Sequence, residues 1–340
     1  MKNSLVSKLD IYIFIYICLI SIFIGIRSDS VGADTRVYAD YFSELYLNKP
    51  FFYEPLFEIL SRIVKYICND RFFYFFCLSF LFNFLWFKSL KVVNFYFNLR
   101  LKEYLVYFIT LSLISSWYIT ALTNGLRQGL ALCLLYLAIF YLLFQKRKKV
   151  FIVLYLLSCL FHYSNFIYLP LFILFLFKRK WEIFFLLIAL MYPLGINEKI
   201  VYFFSNVSGL DVYSSIKHYI SDEESKMWVG FQTDFYIYSM FWAIIPYIFN
   251  KLILGKNPSL EIIIKIYCML LTIYFFYGFG AFSNRFAFVA WLFLPFLQYS
   301  LLCLIKETSS VSRQSRFLFI YVMIVIAIIN LFTYYGFKFL

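Results

Sequence analysis

Long apolar runs recur throughout the chain and constrain its fold more than any other feature. A helix needs about 20 apolar residues to cross the hydrocarbon core of a bilayer, and runs of about that length alternate here with short polar stretches. Of the 340 residues, 64% are apolar and only 14% are charged, whereas average chains carry about 25% charged residues. The sequence therefore predicts an all-α polytopic membrane protein and argues against a cytosolic enzyme, a disulfide scaffold or a disordered tail.

The runs predict about 11 transmembrane helices in a single membrane domain, residues 1–340. No small-residue cleavage site follows the first run, so we expect an uncleaved first helix. Residues 150–177 are long for one helix and short for two, and a polar break at 161–165 leaves a single helix and a hairpin both open. The predicted spans are residues 9–26, 72–90, 102–120, 125–144, 150–162, 164–177, 181–196, 231–250, 261–280, 285–305 and 317–337.

Residues 54–69 form an exception among the apolar segments. Glu54, Glu58, Arg62, Lys65 and Asn69 recur every three or four positions and therefore share one face of a helix. The opposite face is apolar. A helix with a continuous charged face is expected to lie in the membrane interface instead of crossing it.

The charge distribution predicts the orientation of the spans, because cytoplasmic loops are enriched in Lys and Arg. With 54–69 placed in the interface, the inner segments carry 19 basic and 5 acidic residues, and the outer segments carry 12 basic and 13 acidic residues. This split predicts a cytoplasmic N-terminus and two large outer segments, 27–71 and 197–230. The basic residues are islands between apolar runs, so the net charge of +13 does not indicate a nucleic-acid partner.

Polar residues predicted on the outer face are the candidates for chemistry. Arg27 and Asp34 lie in a polar loop after the first helix, and Arg127 and Gln128 open an inward-running helix that we expect Asn124 to cap. Arg285 has the same placement at the start of a later helix. Arginines beside free helix amides form anion sites, so two of them suit a ligand with more than one phosphate.

His162 lies at the polar break of residues 150–177, and it is one of only two histidines in the chain. Histidine exchanges protons near neutral pH, and ionisable groups at membrane depth are frequently functional. His162 is therefore a candidate acid or base, although a packing role would also explain it. His218 lies in a polar loop and is expected to have no catalytic role.

Five short motifs, in this order, resemble the EpsG-like branch of the Wzy-type polysaccharide polymerases. The resemblance extends over about residues 20–305. The motifs are VGADTRVY at 31–38, EPLFEIL at 54–60, GLRQGLAL at 125–132, FHYSNFIYLPL at 161–171 and SNRFAF at 283–288.

This resemblance implies a glycosyltransferase with a GT-C-like fold in the bacterial inner membrane. Such an enzyme joins repeat units carried on undecaprenyl diphosphate at the periplasmic face, making O-antigen of lipopolysaccharide or a related polymer, in some cases with a chain-length regulator. Asp34, Glu54 and His162 match the family's acidic and histidine positions, which makes them candidate catalytic residues. Arg127 and Arg285 match its arginines and, with Arg27 and Gln128, are candidate diphosphate-binding residues.

The expected reaction needs no metal or cofactor, because the phosphoester donor already holds the energy for the new bond. The base that deprotonates the acceptor hydroxyl is His162, Asp34 or Glu54, and the residues alone do not choose among them. Two other classes of membrane protein stay open. One is a flippase or transporter of lipid-linked sugars, although the chain shows no internal repeat of the kind that transporters often carry. The other is a polysaccharide O-acyltransferase.

Overall fold

The computed structural model describes residues 8–45, 50–98, 101–177, 180–209, 213, 230–280 and 283–307. All regular structure in these ranges is helical, and they contain no strand. The chain divides into two compact units, one reaching Phe166 and the next beginning at Ile167. The all-α prediction is confirmed for the described part of the chain.

The first unit is built from eight described α-helices, and the boundary with the second unit falls in a short 3-10 turn at Tyr163–Ile167. Helix α7 is almost entirely buried and packs against both α4 and α8. The helices are α1 Lys8–Gly25, α2 Thr35–Ser43, α3 Pro55–Ile67, α4 Arg71–Phe97, α5 Leu101–Ile114, α6 Ser116–Thr123, α7 Leu126–Gln145 and α8 Lys148–Phe161.

The second unit packs its helices around a buried helix, Pro258–Tyr277. The hydroxyl of Tyr192 accepts a hydrogen bond from the amide of Gln232 at 3.3 Å and donates one to the carbonyl of Gly278 at 3.0 Å. The helices are α9 Tyr168–Phe177, α10 Trp181–Met191, α11 Ile196–Ser208, α12 Thr233–Leu252, α13 Pro258–Tyr277, α14 Ser283–Trp291 and α15 Leu294–Glu307.

Four helical stretches in the described residues are long and apolar enough to span a bilayer: Arg71–Phe97, Leu126–Gln145, Pro258–Tyr277 and Ser283–Ile305. Two further pairs of consecutive helices, each bent at a short break, raise this number to six if each pair crosses the bilayer as one span. The chain is therefore a multi-pass membrane protein. The larger number of about 11 spans stays a prediction, and the predicted span 317–337 lies outside the described residues.

The bent pairs differ from the straight helices that the hydropathy predicts. Residues 102–120 form α5 and α6, which meet at 70° because Ser115 leaves the helix and caps α6 through its side chain. Helices α10 and α11 meet at 90°, with Gly195 in the left-handed region at φ 63°. The outer segment predicted at 197–230 therefore begins as helix, and most of its remainder lies outside the described residues.

The open question about residues 150–177 is decided by His162. Helix α8 ends at Phe161, and His162 has an extended backbone with φ −159° and ψ 112°. The chain then makes the 3-10 turn before α9 begins at Tyr168. A single continuous helix is therefore wrong, and the histidine is the residue at which the helix breaks.

The charged face of α3 does not face water, although its predicted helical periodicity is confirmed. Glu58 is only 1% exposed, whereas Ile63 is 51% and Ile67 is 66% exposed. The acidic residues therefore point into the protein and the isoleucines point outward. The reason is that ion pairs inside the first unit compensate the buried carboxylates, and an outward apolar face is stable where it meets lipid.

Candidate functional site

Three residues that the sequence singled out converge in the first unit. Glu54 lies directly before α3, Arg127 in the first turn of α7 and His162 at the end of α8. Glu54 Oε2 accepts from Arg127 Nη1 at 2.5 Å, and Glu54 Oε1 lies 2.7 Å from His162 Nδ1. One carboxylate thus joins a cation and an imidazole that are far apart in the sequence.

Glu54 is the N-cap residue of α3, with φ −59° and ψ 144°, and its side chain makes no capping hydrogen bond to the helix. It is 7% exposed. Burial by itself raises the pKa of the carboxyl group, but the hydrogen bond from His162, a backbone hydrogen bond and the charge of Arg127 outweigh burial and lower the pKa of Glu54 to about 2. Glu54 is therefore an ionised carboxylate at neutral pH.

The lowered pKa makes the stability of the fold depend on pH. The folded-state pKa of about 2 lies below the ordinary value of 4.5, so the stabilisation is complete above pH 4.5 and is lost as the pH falls toward 2. The shift corresponds to at most about 3 kcal/mol. We expect the difference in melting temperature between the wild type and Glu54→Gln in detergent to be largest near pH 7 and to narrow below pH 4.5.

The matched control for this pH dependence is Glu44→Gln, because Glu44 is an exposed carboxylate in the same segment between α1 and α4. Its melting temperature is expected to follow that of the wild type at each pH. A Glu54→Gln difference that stays constant between pH 7 and pH 3 would contradict the assigned role of Glu54.

The contact with Glu54 determines which nitrogen of His162 carries a proton in the neutral ring. An ionised carboxylate can only accept hydrogen bonds, so Nδ1 must donate to Glu54. The lone pair of the neutral imidazole then lies on Nε2. Nε2 has no hydrogen-bond partner among the described residues, and the side chain is 24% exposed. His162 is thus oriented to accept a proton at Nε2.

Arg127 is held on three sides and still has donors to spare. Its Nε donates to the Tyr38 hydroxyl at 3.3 Å, its Nη1 to Glu54, and its guanidinium lies 4.2 Å from the centre of the Tyr53 ring. A guanidinium has five N–H donors, so three remain after these two hydrogen bonds. The side chain is 26% exposed, which leaves the remaining donors able to reach a phosphate group.

The N-terminus of α7 adds backbone donors beside Arg127. Our prediction that Asn124 caps this helix is wrong: Asn124 ends α6, and the N-cap of α7 is Gly125, which has no side chain to cap it. The first-turn amides therefore receive no side-chain cap. Asn124 instead packs against Gly32, where a Cβ would lie 2.3 Å from Asn124 Oδ1 and where φ is +84°, so only glycine fits.

Tyr53 and the residues beneath it were not apparent from the sequence. Glu58 Oε2 accepts from the Tyr41 hydroxyl at 2.6 Å and from the Tyr53 amide at 3.4 Å, and Glu58 Oε1 pairs with Arg62 at 3.0 Å. Buried Glu58 therefore fixes the ring on which Arg127 rests. The charge spacing along α3 marked Glu58, but only the tertiary structure shows what it holds.

Asp34 lies close to this group. The pKa of Tyr53 is raised, mainly by burial, and the charge of Asp34 raises it further while the charge of Arg127 lowers it. The carboxylate of Asp34 is therefore near enough to act on the Tyr53 ring. Asp34 is the N-cap residue of α2, although its side chain makes no capping hydrogen bond. It is half-buried at the edge of the site.

Arg27, a predicted diphosphate-binding residue, is buried and bonded to other residues of the protein. It is 6% exposed, its guanidinium stacks 3.9 Å from the Phe75 ring centre, and Nη1 and Nε bond to the carbonyl of Ile24 and the hydroxyl of Thr35. Burial and the neighbouring charge of Arg71 lower the pKa of Arg27 to about 9. These contacts tie the first helix to α2 and α4.

The other two predicted anion-binding residues occupy different places. Gln128 follows Arg127 in the first turn of α7 and is half-buried. Arg285 is exposed in the first turn of α14, as expected, but that helix belongs to the second unit. The candidate site in the first unit therefore consists of Glu54, Arg127 and His162, with Asp34 and Gln128 beside them.

A comparison with protein families decides what kind of protein carries this site. The model of the EpsG family matches residues 10–339, which is nearly the whole chain. The chain belongs to the EpsG family. This family is one of Wzy-like polymerases, and the resemblance drawn from the five motifs is confirmed.

The family match covers both units of the EpsG-family chain, so it includes the helices that carry Glu54, Arg127 and His162. No curated protein and no solved structure matches the chain. Membership therefore supports a membrane polysaccharide polymerase.

Proposed function

We propose that this protein polymerises oligosaccharide repeat units carried on undecaprenyl diphosphate, and that Glu54, Arg127 and His162 form its catalytic site. The observation that supports this proposal is the shared carboxylate of Glu54. One oxygen of Glu54 lies 2.5 Å from Arg127 Nη1, and Arg127 can donate hydrogen bonds to an anion. The other oxygen lies 2.7 Å from His162 Nδ1, and His162 can accept a proton. Transfer of a glycosyl group from a diphosphate needs both functions at one place.

The reaction follows from these positions. The acceptor hydroxyl oxygen attacks C1 of the donor sugar, and the bond between C1 and the phosphate oxygen breaks with its electron pair leaving on the diphosphate. Arg127 and the first-turn amides of α7 stabilise the charge that develops there. The proton of the acceptor hydroxyl moves to Nε2 of His162.

The environment of each group favours His162 over the other two candidate bases. The pKa of Glu54 is lowered to about 2, and both of its oxygens are already bonded, so it accepts a proton poorly at neutral pH. Its role is to position His162 and Arg127. Asp34 lies at the edge of the site, where it suits contacts to the sugar.

The proposed location is the outer face of the bacterial inner membrane, with a cytoplasmic N-terminus and a GT-C-like arrangement. The distribution of basic residues supports this orientation, since 19 of them fall on the inner side of the predicted topology. The outward isoleucines of α3 support an interfacial position for that helix. Its N-terminal end then holds Glu54 where the head group of a lipid-linked substrate would lie.

Deletion of the gene tests the proposed function directly. We expect cells without the protein to carry single repeat units, with no long polymer, on a polysaccharide gel and in the lipid extract. Loss of all repeat units from the outer face would indicate a flippase instead. Unchanged chain length with altered acylation would indicate an acyltransferase. Complementation by the wild type should restore long chains.

A further inference from the structure

We infer that Ser158 and Asn165 are positioning residues for His162, a role that rests on the proposed function. Both side chains are fully buried, and both lie within four residues of the histidine. Within the described residues, neither side chain hydrogen-bonds to Glu54 or Arg127. Their hydrogen bonds instead fix the turn that carries the imidazole.

The turn around His162 is closed by a ring of hydrogen bonds. The His162 amide donates to the Ser158 carbonyl at 3.1 Å, and the Asn165 amide donates to the His162 carbonyl at 3.1 Å. The Asn165 side-chain Nδ2 then donates back to Ser158 Oγ at 2.6 Å. The backbone of His162 is thus held from both sides.

The same ring is attached to the helix that carries Arg127. Ser158 Oγ donates to the carbonyl of Ala131 at 2.7 Å, and Ala131 lies one helical turn after Arg127 on α7. The Tyr155 hydroxyl adds a hydrogen bond to the Asn165 carbonyl at 2.9 Å. The distance between the proposed base and the proposed anion donor is therefore set through Ser158, independently of Glu54.

The unpaired oxygen of Asn165 supports a functional reason for this arrangement. Asn165 Oδ1 is buried without a hydrogen-bond partner among the described residues, and an unpaired buried acceptor lowers stability. Within the described residues, the side-chain hydrogen bond that Asn165 makes despite this cost is the one to Ser158. The Ser158 hydroxyl already donates its proton to the Ala131 carbonyl, so it can only accept from Asn165. The amide Nδ2 of Asn165 supplies that donor.

The test compares Ser158→Ala with Ser112→Ala in purified full-length protein. Ser112 is also a buried serine of the first unit, and it bonds Trp86 Nε1 at 2.9 Å. The substrate is the lipid-linked repeat unit extracted from cells that lack the gene. We expect both variants to lower the melting temperature, but only Ser158→Ala to lower kcat, by about 10- to 100-fold, with KM within about twofold of the wild type.

Ser158→Thr keeps the hydroxyl and should restore most of kcat. Equal kcat in Ser158→Ala and Ser112→Ala would overturn the inference. If Ser158→Ala does not accumulate, Tyr155→Phe decides, because it removes the α8 hydroxyl that donates to the Asn165 carbonyl. A wild-type kcat then overturns the inference, and a lowered kcat at unchanged KM supports it. Normal activity of His162→Gln would instead overturn the proposed function, so the two failures are distinguishable.

Discussion

Replacing His162 with glutamine should lower the polymerisation rate by about 10²- to 10⁴-fold, the range that general base catalysis contributes. Glutamine keeps a polar side chain that can still bond Glu54, which lies 2.7 Å from the imidazole. It has no basic nitrogen to accept the proton of the acceptor hydroxyl. The measurement is the rate of chain growth on extracted lipid-linked repeat units, with protein level checked in the same membranes.

His218→Gln is the matched control, because His218 is the only other histidine of the chain. It should grow polymer at the wild-type rate. The binding of the donor lipid should change little in His162→Gln, because Arg127 and the N-terminus of α7 are untouched. Chains of normal length made by His162→Gln at the wild-type rate would refute the role of His162 as the base.

Replacing Arg127 with lysine should lower the rate by about 10²-fold, although the positive charge is conserved. The guanidinium bonds Glu54 at 2.5 Å and Tyr38 at 3.3 Å, and stacks on Tyr53 at 4.2 Å, while three donors stay available. A lysine ammonium has three donors and no plane. It would be occupied by Glu54 and would present fewer hydrogen bonds to the leaving diphosphate.

Arg62→Lys provides the control for this substitution. Glu58 lies one helical turn after Glu54, and Arg62 pairs with it at 3.0 Å. Arg62 is therefore a second arginine paired with a buried glutamate. This variant should keep the wild-type rate of chain growth, measured on the same substrate. The role of Arg127 fails if both lysine variants are equally active, or if Arg127→Lys raises KM without any loss of kcat.

The sequence marked two residues of the candidate site but not the bends of the helices. Arg127 and His162 stood out because ionisable residues are rare in a chain with 14% charged residues and each lies beside a helix boundary. Glu54 became a candidate catalytic residue only through the resemblance to the EpsG-like polymerases. The bends at Ser115 and Gly195 were not recognisable, because a hydropathy window averages over a single polar or glycine residue. The cap of α7 was misassigned because Asn124 can end one helix as readily as it begins the next.

Burial explains the remaining differences. Charge spacing on α3 predicted a helix with one polar face, and this periodicity follows from 3.6 residues per turn. It did not predict that Glu58 would be 1% exposed and Ile63 51% exposed. The direction in which an amphipathic helix faces depends on which partners the rest of the chain brings to it. Here that partner is Tyr41 of α2, whose hydroxyl donates to Glu58.

The amino-acid sequence by itself determined that the chain lives in a membrane, because its apolar runs cannot be buried in water-soluble form. It also determined the family, since five short motifs between residues 31 and 288 carry the resemblance and the EpsG family model matches residues 10–339. Only the tertiary structure decided that Glu54 bonds both Arg127 and His162, since these residues are 73 and 108 positions apart. Such distant side chains meet only after helix packing has fixed α3, α7 and α8, and that packing depends on shape complementarity among buried side chains.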